Sequence, residues 1–208
     1  MARNRSRRDD NLRRRLAYDA ARMIAVDGVA DYATAKWKAA RQAGLEDAKV
    51  LPDNQEIEAA LREYQGLYQK DDQPAQLRRL REIAVKVMRG FADFRPALVG
   101  SVLSGTAGQH SDVNLQLFTD DPKALTIFLL NHRYRFEEES KRVWRGERMD
   151  EVPRILIEVE GVTVTLTVLD RDDERVVTAR GADDAPLRAR LAEVEALLGG
   201  DEGARPEA

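Results

Sequence analysis

The sequence contains no cysteine, so disulfide bonds and thiolate metal sites are excluded. Its two histidines, His110 and His132, cannot form a zinc site by themselves. Long apolar runs are also missing, since no segment approaches the roughly 20 residues that a membrane-spanning helix needs. The arginine-rich N-terminus has no apolar segment followed by a small-residue cleavage site. We therefore expect a cytoplasmic protein with no membrane partner.

Charge is unevenly distributed along the 208 residues, although the net charge is only −3. Residues 1–15 carry seven arginines and two aspartates, a net of +5. Residues 170–208 carry eleven acids and six arginines, a net of −5. The basic arm predicts weak, salt-dependent contact with nucleic acid, whereas a solvated helix start is the alternative that needs no ligand. The acidic tail over 199–208 is predicted to be disordered.

Four helical segments are predicted before the first strand, and the first three suggest a helical region over residues 1–72. The first ends near Asp27, and the second spans Tyr32 to Ala43. The third begins at Asp53, with Glu56 three residues later in a capping-box arrangement. The fourth opens at Gln73 and begins a second domain that is expected to cover residues 73–198.

The first two helices resemble the start of the helix-turn-helix domain of TetR-type repressors, which implies a DNA-binding regulator as one alternative. The matching residues are Ala20-Ala21 before Gly28 and Ala43-Gly44-Leu45 at the end of the second helix. The likeness stops there, because no recognition helix follows Leu45 within a few residues. The next helix carries glutamates on its exposed side, which would repel a phosphate backbone. We expect Trp37 to pack between helices.

A second pattern lies between Gly100 and Leu117, where the chain reads GSVLSGTAGQHSDVNLQL. The apolar run 97–99 predicts a short buried strand that stops at Gly100. Residues 105–111 form a loop of small polar residues whose backbone N–H groups could approach a phosphate. From residue 113 to 118 apolar and polar residues alternate, which predicts a half-buried strand with Asp112 and Asn114 on its open face.

This segment resembles the active-site signature of the nucleotidyltransferase superfamily, which has the polymerase β-like fold. The resemblance covers roughly residues 77–170. It implies that Gly100 and Ser101, with Gly105, Thr106 and Ser111 of the loop, bind nucleotide phosphates. It also implies that Asp112 is the first catalytic, metal-binding carboxylate. Asn114 stands where the family has its second aspartate.

The third carboxylate of the family lies on a later strand, and Thr165 in the run GVTVTLTVLD stands at its place. Two Mg²⁺ ions roughly 3.5–4 Å apart repel each other, and three carboxylates offset much of that repulsion. Asparagine and threonine carry no charge, so two-metal chemistry is not expected, although one Mg²⁺ brought by a nucleoside triphosphate is compatible with Asp112 alone. Asn114→Asp combined with Thr165→Asp is expected to raise Mg²⁺ affinity.

Other acids have ordinary structural explanations. Glu158 and Glu160 lie in an alternating run and are expected at a solvated edge of the sheet. Asp120 and Asp121 precede Pro122, which is typical of a helix start.

The expected fold is an α+β protein with a mixed-sheet nucleotidyltransferase core, preceded by the helical region. The five predicted strands are Ala97–Val99, Val113–Phe118, Tyr134–Trp144, Arg154–Glu160 and Val162–Leu169. A helix is predicted over Pro122–His132, and a last one over Ala185–Leu198. The expected function is nucleotide binding with weakened or absent catalysis. Active Mg²⁺-dependent transfer of a nucleoside monophosphate to an unknown acceptor is the enzymatic alternative.

Overall fold

The computed structural model describes residues 2–29, 31–45, 50–145, 148–175 and 188–201. It is an α+β protein, as predicted, with N-terminal helices followed by a five-stranded mixed sheet and interspersed helices. The chain divides into two compact units. One comprises Met1–Gln76 with Gly108–Ser111, and the other comprises Leu77–Ala107 with Asp112–Ala208. None of the described helices is long and apolar enough to cross a membrane.

The helical unit contains α1 (Ala2–Asp27), α2 (Tyr32–Gln42) and α3 (Asn54–Tyr68). The predicted capping box at α3 is confirmed, because the Asp53 carboxylate accepts from the Glu56 N–H at 2.7 Å and the Glu56 carboxylate accepts from the Asp53 N–H at 2.9 Å. Apolar residues from all three helices form one cluster, including Leu16, Ala20, Met23, Ala35, Ala39 and Ile57.

The expectation for Trp37 was wrong, since this side chain is 47% exposed. The buried residues of α2 are Ala35, Ala39 and Ala40, which recur at helical spacing. Trp37 is two residues from Ala35 and Ala39, so it points away from the face that they share.

The sheet unit has the strand order β1-β2-β5-β4-β3. Its strands are β1 (Ala97–Val99), β2 (Val113–Phe118), β3 (Phe136–Arg145), β4 (Arg148–Val159) and β5 (Val162–Leu169). β2 and β5 are parallel, and the other neighbours are antiparallel. Its helices are α5 (Ser101–Ser104), α6 (Pro122–Asn131), α7 (Leu191–Asp201) and, from Leu77 onward, α4 (Gln73–Gly90).

The two faces of the sheet have different chemistry because side chains alternate along each strand. One face joins residues of α4 and α6 in the main apolar cluster, which includes Leu80, Val87, Leu115, Leu117, Leu125, Leu129, Val164 and Leu166. The opposite face carries polar side chains from the same strands, namely Asn114, Gln116, Thr163, Thr165 and Thr167. The second face therefore carries a row of polar residues, of which Thr165 and Thr167 are themselves buried. The same face also carries a small apolar cluster of Ala97, Phe118, Val152 and Leu169.

Aromatic side chains fill one part of the main cluster, around Phe91 at the end of α4. The ring centroid of Phe91 lies 4.9 Å from that of Phe128, 5.5 Å from that of Tyr134 and 6.3 Å from that of Phe94. Phe91 itself is fully buried.

The β3–β4 hairpin is longer than predicted. β4 begins at Arg148 rather than Arg154, and β3 spans Phe136–Arg145 rather than Tyr134–Trp144. Residues 148–153 of β4 pair with β3 alone, because the register with β5 starts at Arg154. The sequence obscured this extension, since Pro153 and the surrounding charges are unusual inside a strand.

The last helix also differs from its prediction, since α7 begins at Leu191 rather than Ala185. Just before it, the Leu98 N–H donates to the Ala189 carbonyl at 2.9 Å and the Ala189 N–H donates to the Leu98 carbonyl at 3.0 Å. This pairing with β1 needs an extended chain, so the helix starts only afterwards. The helix also includes residues 199–201, so the predicted disordered tail does not begin at residue 199. Residues 185–187 and the rest of that predicted tail, 202–208, lie outside the described residues.

Candidate functional site

Three strands bring the signature positions together at one end of the polar face. Asn114 of β2 is the register partner of Val99 in β1 and of Thr165 in β5. Register partners project to the same face of a sheet, so Asn114 and Thr165 lie side by side on one face. Asp112 lies two residues before Asn114, just outside β2, and its carbonyl accepts from the Asn114 side-chain amide at 3.4 Å.

Gly100 makes the turn that leads from β1 to the polar face. Its φ of +77° lies in the region that favours glycine. A side chain at this position would also lie 3.7 Å from the amide nitrogen of Asn114. That distance is an ordinary van der Waals contact, so the positive φ is what favours glycine here, and the next residue, Ser101, opens α5.

Backbone N–H groups of the small-residue loop after α5 form hydrogen bonds within the loop and α5. The N–H groups of Gly105, Thr106 and Ala107 all donate to the Ser101 carbonyl, at 3.0, 3.0 and 3.1 Å. The hydroxyl oxygens of Ser104 and Thr106 lie 3.0 Å apart. The amides that were predicted to cradle a phosphate are thus directed at a carbonyl oxygen, which a phosphate would have to replace.

Ser111 belongs to the other unit, together with Gly108. The Ser111 hydroxyl accepts from the Gly108 N–H at 3.0 Å, and the Ser111 N–H donates to the Gly108 carbonyl at 3.1 Å. The structure therefore brings Gly100, Ser101, Asp112, Asn114 and Thr165 together in the sheet unit, and it places Ser111 in a local turn of the helical unit.

A guanidinium group, which was not predicted, lies among the expected carboxylate positions. Arg154 of β4 donates from Nη2 to the Thr165 hydroxyl at 3.3 Å. Its Nη1 lies 3.7 Å from a carboxylate oxygen of Glu139. The Nε atom of Arg154 is buried and has no hydrogen-bond partner among the residues that the structure describes. A fixed positive charge therefore lies next to the position where the resemblance implies the third carboxylate.

The Asp112 carboxyl responds to two opposing influences. Partial burial raises its pKa above the usual value, and the positive charge of Arg154 lowers the pKa. Burial is the stronger influence, so the net shift is upward. Asp112 and Arg154 are therefore electrostatically linked, although Asp112 precedes β2 and Arg154 lies on β4.

This link predicts the effect of Arg154→Gln on the titration of Asp112. Removing the cation leaves burial unopposed, so the pKa of Asp112 is expected to rise further than in the native chain. Carbon-detected NMR of the carboxyl group during a pH titration measures the shift. Arg171→Gln, which removes an exposed arginine paired with Asp120 at 3.8 Å, is the control and is expected to leave Asp112 unchanged. A pKa of Asp112 that is the same in both variants would contradict the link.

A second arginine lies further along the polar face. Arg188 donates from Nε to the Gln116 side-chain carbonyl at 2.6 Å, and its guanidinium carbon lies 5.2 Å from the centre of the Phe118 ring. Burial lowers the pKa of Arg188, and the neighbouring Arg190 lowers it further. Two guanidinium groups thus accompany the row of Asn114, Gln116 and Thr165.

The donor set does not fit two metal ions. Asp112 is the single carboxylate at the three signature positions, and no group of three His, Cys, Asp or Glu residues suited to a metal exists among the described residues. Glu158 shares the polar face, but it is exposed and pairs in register with Thr163. Glu160 lies in a turn and forms an ion pair with Lys86 at 2.5 Å. No catalytic step through a two-metal centre follows from these residues.

The two acids before α6 have structural roles, and the surface groove lies away from the signature residues. Asp121 caps α6 by accepting from the Ala124 N–H at 3.1 Å, as predicted. Asp120 accepts from the Arg171 N–H at 3.1 Å. A groove of about 790 Å³ along α4 and α7 contains none of the signature residues, and it is lined by Glu82, Val85, Lys86, Arg89, Glu195 and Leu198.

No protein-family model matches the chain, and no curated protein matches it either. The nucleotidyltransferase resemblance therefore depends on the residues and geometry described above.

Proposed function

We propose that this protein binds the phosphates of a nucleotide on the polar face of its sheet, without two-metal catalysis. In this proposal it is a nucleotidyltransferase-like protein in which Arg154 supplies positive charge that metal ions supply in the family. The observation that carries the proposal is the hydrogen bond from Arg154 to Thr165, beside Asn114 and within electrostatic reach of Asp112.

The chemistry of arginine supports a phosphate ligand. A guanidinium is planar, stays charged at neutral pH and presents several N–H donors that match phosphate oxygens. Within the described part of the chain, the Nε–H of Arg154 is a buried donor with no partner, and such a donor favours a ligand that accepts a hydrogen bond. Arg188 adds a second cation on the same face.

The proposal also accounts for the missing carboxylates. Three aspartates around the same spot would attract Mg²⁺ and repel a phosphate in the absence of metal. With Asn114 and Thr165 in place of two of them, two fewer negative charges oppose a polyphosphate at the guanidinium, which keeps Glu139 at 3.7 Å and Asp112 within electrostatic reach. Mg²⁺ that arrives already bound to a triphosphate is compatible with Asp112, and its contribution is one variable of the experiment.

Isothermal titration with a nucleoside triphosphate, inorganic tripolyphosphate and the free nucleoside tests the proposal, each with Mg²⁺ and with a chelator. We expect binding of both phosphate ligands to persist with the chelator. Arg154→Gln is expected to weaken it about ten- to hundred-fold, since a hydrogen bond to a charged group contributes about 1.5–3 kcal/mol. Arg171→Gln is the matched control and is expected to bind like the native chain.

Pyrophosphate release is measured in the same samples and is expected to stay at background. The enzymatic alternative would be supported instead if binding required Mg²⁺, were unchanged by Arg154→Gln and were accompanied by pyrophosphate release. Failure of both phosphate ligands to bind the folded native protein would reject the proposal.

A further inference from the structure

The two edges of the sheet are finished differently. At one edge, β1 is covered by the two hydrogen bonds between Leu98 and Ala189. At the other edge, β3 pairs with β4 on one side, and no strand among the described residues pairs with its outer side. The outer N–H and C=O groups of such an edge can pair with another strand.

The charged residues of β3 are arranged with acids first and bases after them. Three consecutive acids, Glu137–Glu139, are followed after Ser140 by the bases Lys141 and Arg142. The side chains of Glu138 and Arg142 are exposed. Charges on an edge strand oppose pairing with most other strands. In an antiparallel pair of two β3 strands, however, the acids of one copy can face the bases of the other.

Pairing of two identical antiparallel strands about a two-fold axis permits few registers. Residues that face each other must both direct their backbone N–H and C=O groups toward the partner, or both away from it. The numbers of two facing residues therefore differ by an even number. Midway between them lies a residue that faces the same residue of the second copy, and the two-fold axis passes there. With the axis at Ser140, Glu138 faces Arg142 of the second copy, and Glu139 faces residue 141, a lysine.

The neighbouring registers place like charges together. An axis at Glu138 or Glu139 sets a glutamate against its own copy, and an axis at Lys141 or Arg142 sets a base against its own copy. Opposite charges across a strand pair are favourable, whereas directly opposed like charges are destabilising. The charges of β3 therefore favour the register centred on Ser140.

We infer that the outer edge of β3 is a self-association site, and that its occupant is β3 of a second copy in antiparallel pairing about Ser140. The contact is isologous, so each copy supplies the same residues. Since each copy has a five-stranded sheet, the dimer contains one continuous sheet of ten strands. A single pair of edge strands is a small interface, so the dimer depends on protein concentration.

Sedimentation velocity of the full chain across a range of concentrations tests the inference. The native protein is expected to shift from its monomer mass of 23.5 kDa toward twice that mass as concentration rises. High salt is expected to weaken the association, because it screens exposed charges.

Two charge reversals test the register. Glu138→Arg makes two arginines face each other at each of the two symmetric positions, and Arg142→Glu makes two glutamates do so. Each variant alone is expected to associate about ten-fold more weakly than the native chain, because two favourable pairs become repulsive. An equimolar mixture of the two is expected to associate about as well as the native protein, since every facing pair is again of opposite charge.

Lys123→Glu, an exposed charge reversal on α6, is the control and is expected to leave association unchanged. Circular dichroism of each variant separates loss of association from loss of fold. A native protein that stays monomeric at all concentrations would overturn the inference. So would a dimer that tolerates both single reversals, or variants that fold but do not recover association on mixing.

Discussion

A variant carrying Asn114→Asp, Thr165→Asp and Arg154→Ala is expected to bind Mg²⁺ about ten-fold or more tightly than the native chain. The two new aspartates join Asp112, and register pairing places positions 114 and 165 side by side. Removal of Arg154 takes away the cation that donates to position 165. The expectation follows from Coulomb energies of roughly 4 kcal/mol for a charge pair at 4 Å near a protein surface.

Comparison with the double variant isolates the effect of Arg154. From the sequence, Asn114→Asp with Thr165→Asp was expected to raise Mg²⁺ affinity. With Arg154 present, we expect the new carboxylates to pair with the guanidinium, so the gain is smaller than in the triple variant. Isothermal titration with Mg²⁺ measures the difference, and circular dichroism checks that the buried position 165 tolerates the charge. Equal gains in the two variants would show that Arg154 does not compete with the metal.

Phe91→Ala is expected to lower the free energy of unfolding by about 3–5 kcal/mol, the range for truncating a large buried aromatic residue. Phe91 is fully buried and has ring contacts with Phe94, Phe128 and Tyr134. The truncation removes all of these contacts and leaves a cavity beneath the sheet. Equilibrium unfolding in urea measures the loss.

Ile127→Ala on α6 is the control for this experiment. Ile127 neighbours Phe128 in sequence but is 57% exposed, so its truncation is expected to change stability by less than about 1 kcal/mol. Similar losses for the two variants would contradict the assignment of Phe91 to the core.

The parts of the fold that the sequence predicted well have strong local signals. β1, β2 and β5 were predicted with the bounds that they have, because each is an apolar or alternating run that ends at Gly, Asp or a polar turn. The capping box of α3 depends on residues only three apart. Local patterns of this kind survive folding unchanged.

The features that the sequence did not predict depend on contacts between residues that are not neighbours in the chain. Arg154 and Thr165 lie 11 residues apart, and their meeting depends on the register of β4 with β5. The alternating run from Arg154 to Glu160 puts Arg154 on the same face as Glu158. This alternation is the one sequence pattern that could have indicated Arg154 as a site residue. The late start of α7 likewise depends on pairing between Ala189 and Leu98, which no local pattern reveals.

The alternation of side chains along β2 and β5 has a consequence for how such a protein can evolve. Leu115, Leu117, Val164 and Leu166 hold the core, whereas Asn114, Gln116, Thr165 and Thr167 lie between them on the other face. Selection for stability acts on the first set and on the buried Thr165 and Thr167, whereas it constrains the half-buried Asn114 and Gln116 less strongly. A lineage can therefore exchange ligand chemistry by point substitution on one face while it inherits the same fold from the other.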